Sequence, residues 1–443
     1  MTGRRILLVN PWIYDFAAYD LWAKPLGLLS LGAILRKNGC RVDFLDCLRS
    51  SRPLVGEAGP APKAWGQGKF LRRVIDKPPQ LRGVPRNYSR YGISVEAFTR
   101  DLEMLPRPDA VLVTSMMTYW YPGVFEAIRL IREQFPGVQV ILGGVYATLC
   151  TEHARRFSGA DRVITHEGER SVLALLAGIW GESFGYVPDE SCLDALPYPC
   201  FDLIEDLRYV CIQTSRGCPY RCTYCASHYL CGHARRRDPA GVVEEILFWN
   251  REHKVEDFAF YDDALLAGPA AQTLLREIAQ KVPGVRFHCP NGLHGREITR
   301  PVAGLMRDAG FATIRLGLET TDPSRQRETG GKVTSDEFAR AMENLHRAGY
   351  DSNDIGAYIL CGMPFQEAKE VSDAVSFVKE HGGRPLLSEY SPIPHTRDWE
   401  KAVGMSRYPL REEPLFHNNT LLPCSWEGFT LEMYREIRRA VRV

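Results

Sequence analysis

Thr214-Ser215-Arg216-Gly217-Cys218-Pro219-Tyr220-Arg221-Cys222-Thr223-Tyr224-Cys225 follows closely on the apolar run Tyr209-Val210-Cys211-Ile212. The run reads as a buried strand, and the cysteines on the loop that leaves it are spaced C-x3-C-x2-C. Three thiolates on one tight loop can hold three irons of a [4Fe–4S] cube, whereas such a cube ordinarily takes four cysteines. The fourth iron then stays open to another ligand. Gly217 and Pro219 suit a chain that has to curl around a bulky object. Tyr224, just before the third cysteine, is placed to cover an adenine or the cluster edge.

A structural zinc site is the competing reading. Zinc takes four ligands in a closed tetrahedron, usually from two separated pairs. Cys231 or His228 would complete such a set, but neither stands at a usual zinc-pair spacing.

Downstream of the cysteines, strand-like runs at residues 257–261, 285–289, 313–318, 355–360 and 386–390 alternate with helical stretches such as 241–250. With the run before Cys218 they give six βα units, which predicts an open, partial (β/α)6 barrel rather than a closed one of eight. Polar residues stand where barrel chemistry is done, at the carboxyl ends of these runs. They are Tyr261-Asp262-Asp263, Arg315 to Thr320 with Arg325 and Arg327 beyond, Tyr358 to Pro364, and Glu389 to Thr396. His288, Cys289, Asn291 and His294 fall at the end of the third run.

This order behind a C-x3-C-x2-C loop, with an aromatic before the last cysteine, resembles the radical S-adenosylmethionine (SAM) superfamily. The resemblance covers residues 205–400 and implies that Cys218, Cys222 and Cys225 hold a [4Fe–4S] cluster whose open iron binds SAM. One-electron cleavage then yields methionine and a 5′-deoxyadenosyl radical. By the same resemblance Asp262 and Asp263 meet the SAM amino group, although capping of the next helix competes with that role. Glu319 is similar to the acidic residue that meets the ribose. Arg327, with its planar pair of donors, is expected at the methionyl carboxylate.

Upstream, residues 6–9, 42–46, 110–114, 138–142 and 162–165 read as strands alternating with helices at 26–36 and 124–134. That pattern predicts a doubly wound parallel sheet with its ligand at the carboxyl ends of the strands. No G-x-G-x-x-G follows the first run, so a dinucleotide site lacks its fingerprint. The order of segments, with Gly143-Gly144 and Glu167-Gly168-Glu169, instead resembles the cobalamin (B12)-binding domain that precedes the radical SAM core in one large subgroup. It implies cobalamin near Thr114, Ser115, Gly143, Gly144 and Gly168. The D-x-H-x-x-G motif that supplies a cobalt ligand in many such proteins is absent, as it is in many radical SAM relatives.

The expected organisation is therefore a B12-binding-like domain over 1–190, a proline-containing linker over 191–205, a radical SAM core over 206–400 and a small helical tail over 401–443. A stretch rich in Pro, Gly and cations interrupts the first domain at 50–95, with Lys63, Lys69, Arg72, Arg73, Lys77, Arg82, Arg86 and Arg90. Its interleaved aromatics Trp65, Phe70, Tyr88 and Tyr91 would suit nucleic acid, and a solvated loop or one packed over the cofactor is the alternative. The net charge of +1 in 443 residues gives no global pull toward nucleic acid or membrane. No apolar run approaches a membrane span. Thirteen cysteines without a secretion signal argue for a cytoplasmic protein that uses thiols for metal. The reading is a radical SAM enzyme performing cobalamin-dependent C-methylation or a related carbon modification on a small molecule. A flavodoxin- or ferredoxin-type reductant supplies the electron. A cobalamin-free radical SAM enzyme acting on RNA or protein, and a cluster-bearing redox sensor without turnover, are the alternatives.

Overall fold

The computed structural model describes residues 3–49 and 65–442. Lys63 and the rest of residues 50–64, the first part of the basic stretch, lie outside the described residues. The chain divides into two compact units, residues 1–208 and 209–443.

The strands of the first unit are β1 (Arg5–Asn10), β2 (Ile13–Asp15), β3 (Arg41–Asp46), β4 (Arg72–Ile75), β5 (Tyr88–Tyr91), β6 (Ala110–Val113), β7 (Gln139–Leu142) and β8 (Arg162–Val163). Five of them form one sheet in the order β3-β1-β6-β7-β8, with every neighbouring pair parallel. Strands β1, β6 and β7 are buried almost without interruption. Unbroken apolar runs of this kind suit parallel strands covered on both faces. Helix Leu26–Lys37 supplies part of that cover with Leu28, Leu29, Ile34 and Leu35. The direction of strand addition reverses between β1 and β6, which marks the switch point where such sheets take ligands.

The basic stretch departs from the sequence expectation. Rather than forming a connection without internal order, it contributes β4 and β5, which join β2 in a separate antiparallel three-stranded sheet ordered β2-β5-β4. Tyr88 and Tyr91 are buried, and their hydroxyls donate to Tyr14 O at 2.9 Å and Phe16 O at 3.2 Å. These rings are packing residues and present no face to a nucleic-acid base.

His153 sits among Tyr121, Phe125, Tyr146 and Phe157, with its Nδ1 2.6 Å from the Tyr146 hydroxyl. Burial pushes its pKa from 6.5 down to about 4, because the ring cannot easily carry charge there. The neutral ring therefore favours the folded state fully above pH 6.5, and that contribution is lost as pH falls toward 4. With the ring only half-buried, about 1–2 kcal/mol is expected. Thermal melts from pH 7 to pH 4 should show a shallower acid loss in His153→Phe than in the parent. Equal slopes would remove His153 as the cause.

The second unit carries β9 (Tyr209–Ile212), β10 (Ser215–Arg216), β11 (Arg235–Arg236), β12 (Asp257–Phe260), β13 (Arg286–His288), β14 (Phe311–Glu319), β15 (Ile355–Cys361) and β16 (Arg384–Glu389). Six of these form a parallel sheet in the order β16-β15-β14-β13-β12-β9, so neighbours in the sheet are also successive βα units. Its two edges are not joined, which is the open (β/α)6 arrangement. Helices Pro239–His253, Pro269–Lys281, Arg300–Asp308, Ser335–Arg347 and Ala368–Glu380 connect the strands. Asp238, Thr299 and Thr334 cap three of them with side-chain hydrogen bonds. Phe260, Phe287 and Phe311 form a three-ring cluster with centroids 5.3, 5.6 and 5.7 Å apart.

The segment after β16 is tied back to this unit. Ser391 Oγ donates to His417 O at 2.6 Å, and Trp426 Nε1 donates to Gln366 O at 2.8 Å. The last helix, Leu431–Arg442, reaches Glu389 at the end of β16 through the Tyr434 hydroxyl.

Candidate functional site

The cysteine loop leaves the carboxyl end of β9, the first strand of the six. Burying β9 fixes where the loop begins, and a short antiparallel pairing of β10 with β11 turns it. Gly217 is required in that turn. Its φ is +78°, and a Cβ there would lie 3.0 Å from His233 O.

Three carboxylates fasten the loop. Asp262, buried at the end of β12, accepts from Thr214 N at 3.0 Å, from Thr214 Oγ1 at 2.6 Å and from the Ser215 hydroxyl. Ser227 donates to Asp263. Thr223 Oγ1 donates to Asp398 Oδ2 at 2.6 Å, and Asp398 N returns a bond to Thr223 O at 3.1 Å. Asp262 and Asp263, expected together at a ligand's amino group, bond to the loop itself. In this structure Asp262 positions the start of the loop and Asp263 the residues just after it. Burial raises the Asp262 pKa, and the three donors oppose that rise.

Cys218, Cys222 and Cys225 are half-buried on this fastened loop, and the backbone N–H of Cys225 turns back to Cys222 O at 3.2 Å. Burial pushes all three thiols up, Cys225 to about 11. Such thiols stay protonated until a metal's positive charge draws the proton off. Among the described residues, no group of three or more His, Cys, Asp or Glu side chains is placed to hold a metal ion. A cube takes one iron per thiolate, so its ligands need not meet at a point. The donor set fits a cube with one open corner. The hydroxyl of Tyr224 is buried beside the Cys222 sulfur.

Glu319 ends β14 in a left-handed conformation, φ +67°, where the register with β15 slips. Its Oε1 lies 2.7 Å from Lys332 Nζ, so one carboxylate oxygen is already engaged. Gly317 makes room for this pair, since a Cβ there would stand 2.3 Å from Lys332 Nζ. Arg327 is exposed on helix Pro323–Glu328, and its neighbour Arg325 pairs with Glu370. The buried cation of this turn is Lys332, which the sequence reading passed over.

The residues flagged at the end of β13 also separate. His288 is wholly buried between Asp257 at 3.0 Å and Thr313 at 3.1 Å, a structural tie. Cys289 is buried, and Asn291 donates to Tyr261 O at 3.2 Å. His294 stacks on Tyr220 of the cysteine loop at 4.2 Å, and Glu297 accepts from the Tyr220 hydroxyl at 2.6 Å.

In the first unit Thr114 and Ser115 follow β6, Gly143 and Gly144 follow β7, and Gly168 opens helix Glu169–Trp180 just after β8. All five stand at carboxyl ends of the parallel strands. Ser115 Oγ donates to Gly143 O at 2.6 Å. Gly144 has φ +96°, and a Cβ there would lie 2.3 Å from Ser115 O, so its glycine serves the backbone. A Cβ on Gly143 would meet only Ile164 O, at 3.8 Å. That open side is a surface a flat ligand can approach.

Residues 212–378 match the Radical SAM superfamily. An uncharacterised methyltransferase of Pyrococcus horikoshii is 25% identical over 357 residues, which cover 73% of this chain and 72% of the relative. The anaerobic magnesium-protoporphyrin IX monomethyl ester cyclase of a Synechocystis species is 24% identical over 358 residues, covering 73% of this chain and 62% of the cyclase. Among solved structures, the radical SAM methyltransferase TsrM of Kitasatospora setae, with cobalamin and a [4Fe–4S] cluster bound, superposes with a TM-score of 0.67 at 17% identity. That likeness spans 95% of this chain and 82% of TsrM, and it carries the fold. No helix among the described residues is long and apolar enough to cross a membrane.

Proposed function

We propose that this chain, an enzyme of the radical SAM superfamily, cleaves SAM at a cluster held by Cys218, Cys222 and Cys225 and directs the radical to cobalamin-dependent C-methylation or a related carbon modification of a small molecule. When bound, the cluster and SAM supply a 5′-deoxyadenosyl radical, and cobalamin supplies a methyl group. The chain's own part is to hold and orient. The three thiols would grip the cluster, and Tyr224, whose hydroxyl lies beside the Cys222 sulfur, would stand next to it. Asp262 and Asp263 keep the loop in shape. Glu319 keeps one oxygen for the SAM ribose, and Lys332 is the nearby buried cation. In the first unit Thr114, Ser115, Gly143 and Gly168 would line the corrin. A cytoplasmic electron donor of flavodoxin or ferredoxin type completes the reading.

The observation that carries it is a loop of three cysteines, fastened on both sides of its sulfurs, at the carboxyl end of the first of six parallel strands. Anaerobically reconstituted protein given dithionite and SAM should release 5′-deoxyadenosine and methionine. Protein purified from cobalamin-supplied cells should show corrin absorbance. Release without corrin would leave the radical chemistry and remove the methyl source. Absence of both products would sink the proposal.

A further inference from the structure

The Glu319–Lys332 pair holds a position that stability alone does not explain. Its side chains are only 11% and 15% exposed. A buried ion pair gains little over apolar packing once its desolvation is counted. Glu319 also sits in a left-handed conformation that a non-glycine residue adopts at a cost of about 1–3 kcal/mol.

The turn bearing Lys332 is stitched to the cysteine loop. Thr223 N donates to Thr329 O at 3.2 Å. Gly330 packs so closely that a Cβ on it would lie 2.8 Å from Arg221 O and 3.1 Å from the Cys222 Cα. Lys332 is thereby held where its charge acts on Cys222 and Cys225, and Glu319 acts on Cys222 in the opposite sense. A [4Fe–4S] cube with three thiolates carries one negative charge when oxidised and two when reduced. On a half-buried loop the added charge is felt by fixed neighbours more than it would be in open water. Net charge near the sulfurs is one of the terms that set a cluster's potential.

We infer that Lys332 and Glu319 act together as positioning residues that set the reduction potential of the cluster. The inference rests on the reading that Cys218, Cys222 and Cys225 hold one. The ammonium favours the reduced cube, and the carboxylate holds that effect back. The step concerned is a single electron passing from an external low-potential donor to the cube, with no bond made or broken.

The test is the midpoint potential of reconstituted holoenzyme without SAM, followed by electron paramagnetic resonance during a dithionite titration. Lys332→Met should disfavour reduction at least tenfold, about 59 mV downward for one electron. Glu319→Gln should move the potential upward, and Lys332→Arg should keep the parent value. Shifts of the same sign in Lys332→Met and Glu319→Gln, at equal iron content, would overturn the inference. If Lys332→Met fails to take up iron, Glu319→Gln decides alone, and no upward shift overturns it. A parent protein that holds no cluster would instead remove the functional reading itself.

Discussion

Replacing any one of Cys218, Cys222 or Cys225 by alanine abolishes SAM cleavage completely and leaves the protein folded. Two ligands do not hold a cube, so iron should be lost along with activity. The fold should persist because the side-chain bonds that shape the loop run to carboxylates, and the bond from Ser227 N to Cys225 Sγ is long, at 3.5 Å. Thr214 and Ser215 are held by Asp262, Thr223 by Asp398, and Ser227 by Asp263. The measurements are iron per chain, 5′-deoxyadenosine released, and the melting temperature of the metal-free protein. Cys231→Ala is the control, since Cys231 ends the short helix Ser227–Cys231 and is not one of the three. Full iron in Cys222→Ala, or loss of iron in Cys231→Ala, would give the metal a different ligand set.

Gly144→Ala and Gly143→Ala, adjacent substitutions of one hydrogen by a methyl group, should have opposite consequences. At Gly144 the new carbon meets the Ser115 backbone at 2.3 Å, in a conformation that L residues rarely adopt. Backbone cannot yield as a flexible side chain can, so a loss of about 3 kcal/mol or more is expected. At Gly143 the new carbon makes only an ordinary contact, 3.8 Å from Ile164 O. Stability should hold while corrin binding falls, because the methyl group stands on the surface the ligand would approach. Melting temperature and corrin content, measured on both variants, separate the two. A Gly143→Ala protein that keeps its full corrin content would move the ligand elsewhere.

The barrel and the main sheet were legible because their strands are parallel and buried on both faces. Burial of this kind writes each strand as a compact apolar run, as in Ile355–Cys361 or Ala110–Val113. The three-stranded antiparallel sheet was not legible. Arg72–Ile75 is mostly exposed, and Ile13–Asp15 is three residues long, so neither carries a burial pattern in the sequence. Pairing, which only the fold reveals, makes them strands.

At the site the same division holds. The thiols were legible because all of them fall within one short loop. Lys332 was not, because it lies thirteen residues beyond Glu319 and meets it only when the turn folds back. A motif spacing also cannot tell whether Asp262 faces a ligand or the chain, and here its bonds go to Thr214 and Ser215. The signal that could have found Lys332 is the glycine pair Gly330-Gly331 before it, which permits the close approach to Cys222.

The hydrogen bonds that pin the loop have a consequence for how the protein is born. Because carboxylates and hydroxyls set its shape, the polypeptide reaches its finished form ahead of its inorganic part. Iron delivery is then a late step performed on a completed scaffold, unlike a zinc finger that collapses around its ion. A cell short of iron would accumulate a folded stock ready to be charged, and damage to the metal by oxygen would call for repair rather than resynthesis.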